Sequence, residues 1–305
     1  MLRLLFVGAC ALSVLAPVSA LHAQSAAQNV SDSDQMSLKR KVAVGRFTNE
    51  TRYGQTLLRD SNLDPLGKQA ADILTAYLVQ SDAFLVFERT DTAQLSAEQS
   101  LLGDKKSLVG VDTLIIGSIV EFGRSEDGKR GLFNRERTQR AHAKVAIRLV
   151  DVRTGLAFHS ATGSGEATTE TQTTLGMGST ARFDGSLTDK ALSVAIEDVL
   201  EELVNTIQAR EWRTDILAVE DGQIFISGGA SQGLKIGDRL NVMRRGRMVE
   251  SRQSGIPIEL PASKVGEIQV VSHFGSGDLQ EGSVATLISG SVDSADIDSV
   301  YVVGQ

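Results

Sequence analysis

V-D-T-L-I-I-G-S-I-V-E-F-G, from Val111 to Gly123, decides the fold. Thr113, Ile115, Ile116, Ile119 and Val120 are β-branched, no helical period runs through them, and proline is absent. Such a run has the pattern of a strand covered on both faces. Upstream the order is strand–helix–strand–helix. Downstream a second long strand, Ala143 to Val152, alternates apolar and polar side chains. The stretch is therefore expected in the middle of a sheet with helices against it, and the fold class is α+β.

Working outward toward the N-terminus, Lys41 to Phe47 alternates as a first strand. Thr48 to Asp64 is a polar loop, long for a plain connection. Pro65 opens a helix with Asp64 as N-cap, its apolar stripe carried by Leu66, Ala70, Ile73, Leu74, Tyr77 and Leu78. Phe84 to Phe87 is a second strand, and Thr90 caps a further helix running to about Leu102.

On the other side, Arg124 to Gln139 is charged on both alternate faces and is expected as a polar hairpin or loop. Arg153-Thr154-Gly155 turns Ala143 to Val152 back into Leu156 to Ser160, giving a β-hairpin. Ala161 to Thr188 has one weakly apolar and one polar side. A membrane hairpin shows that pattern, with Leu175, Met177 and Phe183 on the apolar side, and so does any half-exposed hairpin. Lys190 to Arg210 is the strongest helix, striped by Leu192, Ile196, Val199, Leu203 and Ile207.

Trp212 to Asp215 marks a boundary. Beyond it only short alternating runs occur: Ile216 to Val219, Ile224 to Ser227, Arg239 to Arg244, Val265 to Val271 and Ser283 to Ile288. Strands at that spacing indicate a small all-β barrel. The expected organisation is a signal peptide at 1–23, a flexible leader at 24–39, an α/β domain at 40–211, a β-barrel domain at 212–290 and an acidic tail at 291–305.

The first 23 residues carry Arg3, an apolar run from Leu4 to Val18 and small residues before Ala20 and Ala23, as a secretory signal does. Cleavage is expected after Ala23, with Ala20 as second choice. Removal takes one Arg and no acid, so 30 basic residues face 38 acidic ones, formally −8. An acidic chain is a poor partner for nucleic acid. Cleavage also removes Cys10, the chain's one cysteine, and with it any disulfide or thiol chemistry. The alternative is that Val7-Gly8-Ala9-Cys10 is a lipidation box and Cys10 the acylated first residue. His142, His159 and His273 lack the spacing of metal ligands, and no nucleophile, phosphate-loop or zinc-protease motif occurs. The chain is expected to be no enzyme and to hold no cofactor or metal.

Three stretches carry a family resemblance: Lys41 to Phe47 followed by Asn49-Glu50-Thr51; Ala70 to Leu78 followed by Ala83 to Arg89; and Asp112 to Phe122 followed by Val145 to Gly155. Together they resemble the curli production assembly/transport family, of the CsgG/HfaB type, over about residues 40–210. Ile216 to Ile288, with G-L-K-I-G-D-R-L at 233–240, resembles the small β-barrel of a flagellar-basal-body accessory protein. The family resemblance implies an oligomeric ring to which each subunit gives two β-hairpins for a shared barrel. It also implies a constriction lined by the loop after the first strand, here Tyr53 to Asp64. Tyr53, Asn62 and Leu63 are the candidates, Leu63 standing where the family has an aromatic.

The function so implied is that of an exported cell-envelope protein at the outer membrane or in the periplasm. It would join copies of itself and envelope accessory proteins to transport or assemble unfolded adhesin or fibre subunits. The alternative is a soluble periplasmic scaffold with no pore.

Overall fold

The computed structural model describes residues 38–53, 64–89, 109–130, 134–174, 185–253, 255–277 and 280–305, all within one compact unit, Met36–Gln305. The first part contains β1 (Arg40–Asn49), α1 (Pro65–Gln80), β2 (Phe84–Glu88), β3 (Thr113–Arg130), β4 (Asn134–Asp151), β5 (Ala157–Thr174) and α2 (Gly185–Gln208). The strands form one sheet in the order β2-β1-β3-β4-β5. β1 runs parallel to β2 and β3, as the crossover through α1 requires, and β3, β4 and β5 are antiparallel in turn. The quoted stretch is the central strand.

Both helices belong to a single core with one face of that sheet. Leu74 and Leu78 of α1 and Leu192, Ile196, Leu203 and Ile207 of α2 are buried with Val42, Val44, Ile115, Ile119, Val145, Ile147 and Leu149. The alternate residues of β3, Leu114, Ile116 and Val120, are only half-buried. The expectation of cover on both faces is thus met on one face by the described helices. The helix expected from Thr90 to Leu102 lies outside the described residues.

α1 begins where the sequence signals place it. Asp64 Oδ1 accepts the Gly67 amide at 2.8 Å, and Pro65 occupies the first helical position. Tyr77 donates its hydroxyl to Glu197 Oε1 at 2.5 Å, tying α1 to α2; that bond, with partial burial, pushes the phenol pKa up. The turn after β4 is built by Asp151, whose Oδ1 accepts the Arg153 amide (3.1 Å), the Thr154 amide (3.0 Å) and the Thr154 hydroxyl (3.1 Å).

The second part contains β6 (Arg213–Thr214), β7 (Ile216–Glu220), β8 (Gln223–Ser227), β9 (Arg239–Arg244), β10 (Met248–Glu250), β11 (Pro257–Glu259), β12 (Ser263–Phe274), β13 (Gly282–Gly290) and β14 (Val300–Gly304). Seven of these make a sheet in the order β6-β14-β9-β12-β13-β8-β7, while β10 and β11 pair only with each other. The sheet starts at β6 and ends at β7, which are separated in the chain by Asp215 alone, so its two edges are brought together as in a small barrel. Asp221 (φ 49°) and Gly222 (φ 77°) join β7 to β8 in the two-residue turn that needs positive φ twice. Ile224, Ile226, Leu240, Val242, Ile268, Val270, Val300 and Val302 fill the interior beside Trp212.

Two boundaries need correction. Ser291 to Gln305 is no free acidic tail: Val300 to Gly304 is an inner strand, with Val302 opposite both Val242 and Thr214. Leu38 and Lys39, assigned to the flexible leader, are also fixed. Leu38 is buried in the second core and the Lys39 amide donates to Gln232 O at 2.8 Å.

Between the two sheets lies a charged cleft of about 80 Å³ lined by Arg40, Asp112, Thr113, Asp151, Arg210 and Arg213 among others. Arg40 is 6% exposed and donates to the Arg210 carbonyl. The Arg210 guanidinium lies 2.5 Å from Asp151 Oδ2 and 4.0 Å above the Phe158 ring. Burial alone pushes the Asp151 carboxyl up. The Thr154 amide and hydroxyl, with Arg210 and Arg153, outweigh it and hold the group below the usual carboxylate range.

Candidate functional site

β3, β4 and β5 are 18 residues each, far longer than β1 beside them. Pairing between β1 and β3 ends at Asn49 opposite Ile119. From there β3 continues for eleven residues, about 35 Å at the usual rise per residue. Of the two forms expected for Arg124 to Gln139, the described residues take the hairpin: 124–130 continue β3 and 134–139 continue β4, with Asp127, Thr138 and Glu170 in one row across the three strands.

The base of this ribbon is pressed against α2. A Cβ on Gly163 would lie 2.0 Å from the Ala195 carbonyl, and one on Gly165 would lie 2.4 Å from the Ala191 carbonyl. Only glycine fits at that separation. The weakly apolar side of Ala161 to Ala167, expected in a membrane hairpin or a half-exposed one, is covered by a helix while its alternate residues are exposed. Helix α2 also starts at Gly185, earlier than Lys190.

Beyond the helix the ribbon is polar on both faces. Ser125–Arg130, Asn134–Arg140 and Thr168–Thr174 contain no apolar residue. A strand facing lipid needs an apolar residue at every second position, and these segments have none. No helix among the described residues is long and apolar enough to cross a membrane either, which says nothing about strands. Leu175, Met177 and Phe183 lie outside the described residues.

Among the described residues neither edge of the ribbon is paired with a further strand. The β3 edge has no strand partner past Ile119 among the described residues. On β5, the Ser164 amide points away from β4 and donates to Asp198 Oδ2 of α2 at 3.0 Å. By the two-residue repeat, the amides of Glu166, Thr168 and Glu170 point the same way, and no acceptor meets them among the described residues. Strand-edge amides so placed on β5 are a template for pairing with another chain. Because β3 and β5 are each antiparallel to β4, they run parallel to each other.

The loop after β1 is fastened at its neck. Asp64 Oδ2 accepts the Asn49 amide at 2.6 Å, and the Asn49 side chain donates to Tyr53 O at 2.8 Å while accepting the Thr51 amide at 2.9 Å. Tyr53, the first constriction candidate, is half-buried with its ring 4.5 Å from that of Phe122. Asn62, Leu63 and Cys10 lie outside the described residues.

The three histidines stay apart. The His142 ring fills the space above Gly123, and His159 Nε2 lies 3.1 Å from Glu202 Oε1. His273 Nδ1 is 2.9 Å from Ser283 Oγ, whose own proton goes to the Gly228 carbonyl at 2.8 Å, so this serine is not set up as a nucleophile. Among the described residues no group of three or more His, Cys, Asp or Glu could hold a metal.

The fold and its ribbon thus define a class: a helix-backed sheet whose three long strands run on past it, with no further strand paired to them among the described residues. The chain belongs to the curli production assembly/transport component CsgG family, whose model matches residues 23–236. A protein of Neisseria meningitidis serogroup B, named as a candidate lipoprotein, is 34% identical over 175 residues, covering 56% of this chain and 78% of the relative. Among solved structures, the PelC dodecamer from Paraburkholderia phytofirmans is similar at 18% identity and a TM-score of 0.28, covering 53% of this chain and 86% of that one. Lipoprotein GNA1162 from Neisseria meningitidis is similar at 17% identity and a TM-score of 0.28, covering 56% and 99%.

Proposed function

We propose that this chain is an exported cell-envelope protein that joins copies of itself edge to edge through the β3–β4–β5 ribbon. The assembly stands at the outer membrane or in the periplasm and serves the transport or assembly of unfolded extracellular adhesin or fibre subunits. Family membership supports the transport role, and the expected signal peptide supports export. The observation that carries the self-assembly is that, among the described residues, neither ribbon edge is paired with a further strand. The β5 edge of one copy meeting the β3 edge of the next is a head-to-tail contact, which closes into a ring if the rotation per copy allows.

In this reading residues 40–211 form the assembling layer, and the second sheet, resembling the flagellar accessory barrel, meets envelope accessory proteins. The fastened loop from Tyr53 to Asp64 is carried by every copy and lines any central passage. A second reading is favoured by the polarity of the ribbon: with no apolar residue in Ser125–Arg130 or Asn134–Arg140, the assembly is a periplasmic scaffold with no pore. Envelope fractionation followed by native mass and planar-bilayer conductance separates the cases. Large oligomers that conduct ions support the transport ring. Silent oligomers support the scaffold. A monomer released by osmotic shock contradicts self-assembly.

A further inference from the structure

The β10–β11 hairpin is the one described pair of strands that joins neither sheet. Val249 lies opposite Ile258, Met248 opposite Glu259 and Glu250 opposite Pro257. The same register continues outward, since the Leu260 amide donates to Arg247 O and the Ser251 amide to Ile256 O, each at 3.0 Å. Side chains on opposed residues share a face. One face therefore carries Val249, Ile256, Ile258 and Leu260 together with Arg247 and Ser251, and the other carries Met248, Pro257 and both carboxylates, Glu250 and Glu259.

The apolar face is bare. Ile256 is 61% exposed, Ile258 55%, and Val249 and Leu260 just under 40%. A two-stranded hairpin is marginal by itself in water, so cover on this face stabilises it. The arm leaves the sheet at Gly246, where a Cβ would lie 1.8 Å from the Leu260 carbonyl, so the two legs cross closely at its root.

Charge sorts the same way. Residues 244–264 hold five bases, Arg244, Arg245, Arg247, Arg252 and Lys264, against two acids, in a chain whose formal net charge is −7. Arg244 is 2.6 Å from Asp296, Arg245 is 3.7 Å from Asp215, and Lys264 is 3.1 Å from Glu267. Arg247 and Arg252 are exposed and have no carboxylate partner among the described residues. Arg247 on the apolar face and Arg252 in the turn at its tip, with four exposed aliphatic side chains, are complementary to a negatively charged lipid surface. The area argues against a second protein: four aliphatic side chains supply about half of the roughly 800 Å² per partner that a stable interface takes.

We propose that the β10–β11 hairpin is a docking arm that lays its Val249–Ile256–Ile258–Leu260 face on an anionic phospholipid membrane, held by Arg247 and Arg252. Docking is reversible and weakens with salt, because screening acts on the exposed arginines.

The test is vesicle flotation of the chain expressed from Gln24 onward, with phosphatidylcholine alone and with phosphatidylcholine containing phosphatidylglycerol. The chain is expected to float with the anionic vesicles and to sink with the neutral ones. Ile256→Ser with Ile258→Ser lowers the floated fraction at least about fivefold, and Arg247→Gln with Arg252→Gln does the same while removing the salt dependence. All four side chains are exposed, so unchanged melting temperatures are expected and exclude misfolding as the cause. A wild-type chain that stays unbound, or variants that float as it does, overturns the proposal. Sizing that shows a dimer lost in the isoleucine variant overturns it in favour of a second copy.

Discussion

Asp64 fastens two elements with one carboxylate: Oδ2 takes the Asn49 amide at the end of β1, and Oδ1 takes the Gly67 amide in the first turn of α1. The neck of the loop between them is closed by that single side chain. Asp64→Ala is expected to cost about 1–2 kcal/mol, the usual range for a lost N-cap with a second bond added. Melting temperature and protease cutting between residues 50 and 64 check this. Asp64→Asn, which keeps one acceptor oxygen, is expected to lose less.

Gly163 and Gly165 set the distance between β5 and α2. Gly163→Ala puts a methyl 2.0 Å from the Ala195 carbonyl, and that atom is backbone, so the helix itself must move. The expected loss is about 2–3 kcal/mol, seen as a lower urea midpoint with little change in slope. Gly155→Ala is the contrast: its Cβ would meet nothing, and only the positive φ of 69° resists it, so the cost is smaller.

Asp151 makes stability depend on acid. Its folded pKa is depressed, so its contribution is complete above the unfolded value of about 3.9 and is lost as pH falls from there through the lower folded value. Asp151→Asn is expected to lower stability at neutral pH by about 1–3 kcal/mol, since Arg210 loses its partner. It should also flatten the acid limb of a melting-temperature profile. An acid limb unchanged in the variant would contradict this assignment.

The last residues are structural. A chain ending at Ser299 loses β14, which leaves β6 unpaired and β9 with β12 alone, so the second sheet is expected to unfold in a separate, lower transition. Val302→Asp, which buries a charge between those strands, should act in the same direction. Calorimetry of either variant checks it.

Thr168→Pro separates folding from assembly. The Thr168 amide faces away from β4, so proline there removes no bond of the sheet but blocks the β5 edge. Melting is expected to change by less than about 1 kcal/mol while the native mass falls to that of a monomer.

Where the pattern was local, it was legible. The β-branched run at Thr113 to Val120, the Asp64-Pro65 helix start, the Asp151 to Gly155 turn and the Leu192 to Ile207 stripe each specify their element within one or two turns of chain. Val300 to Val303 reads as an apolar run closing an acidic tail, because Asp293, Asp296 and Asp298 dominate its surroundings and its partners Val242 and Thr214 are far away in sequence. β5 was left between a membrane hairpin and a half-exposed one for another reason. Helix α2 approaches so closely that only glycine fits at 163 and 165, and Ala161, Gly163 and Gly165 then lack the bulk that marks a covered strand. The packing of Tyr53 on Phe122 and the Arg40–Arg210–Asp151 arrangement join residues more than fifty positions apart, which no spacing rule connects.

The claim on which the account rests is that the β3 edge of one copy meets the β5 edge of another. Asp127 and Glu170 sit in the same row at these two edges, and Cys10, the chain's one native cysteine, leaves no free thiol under either processing route. Chains carrying only Asp127→Cys and chains carrying only Glu170→Cys would be produced together in one envelope and treated with a short bismaleimide. The account predicts covalent dimers in the mixture and none with either chain alone. Monomers in all three samples, or equal dimers from one variant by itself, would contradict it.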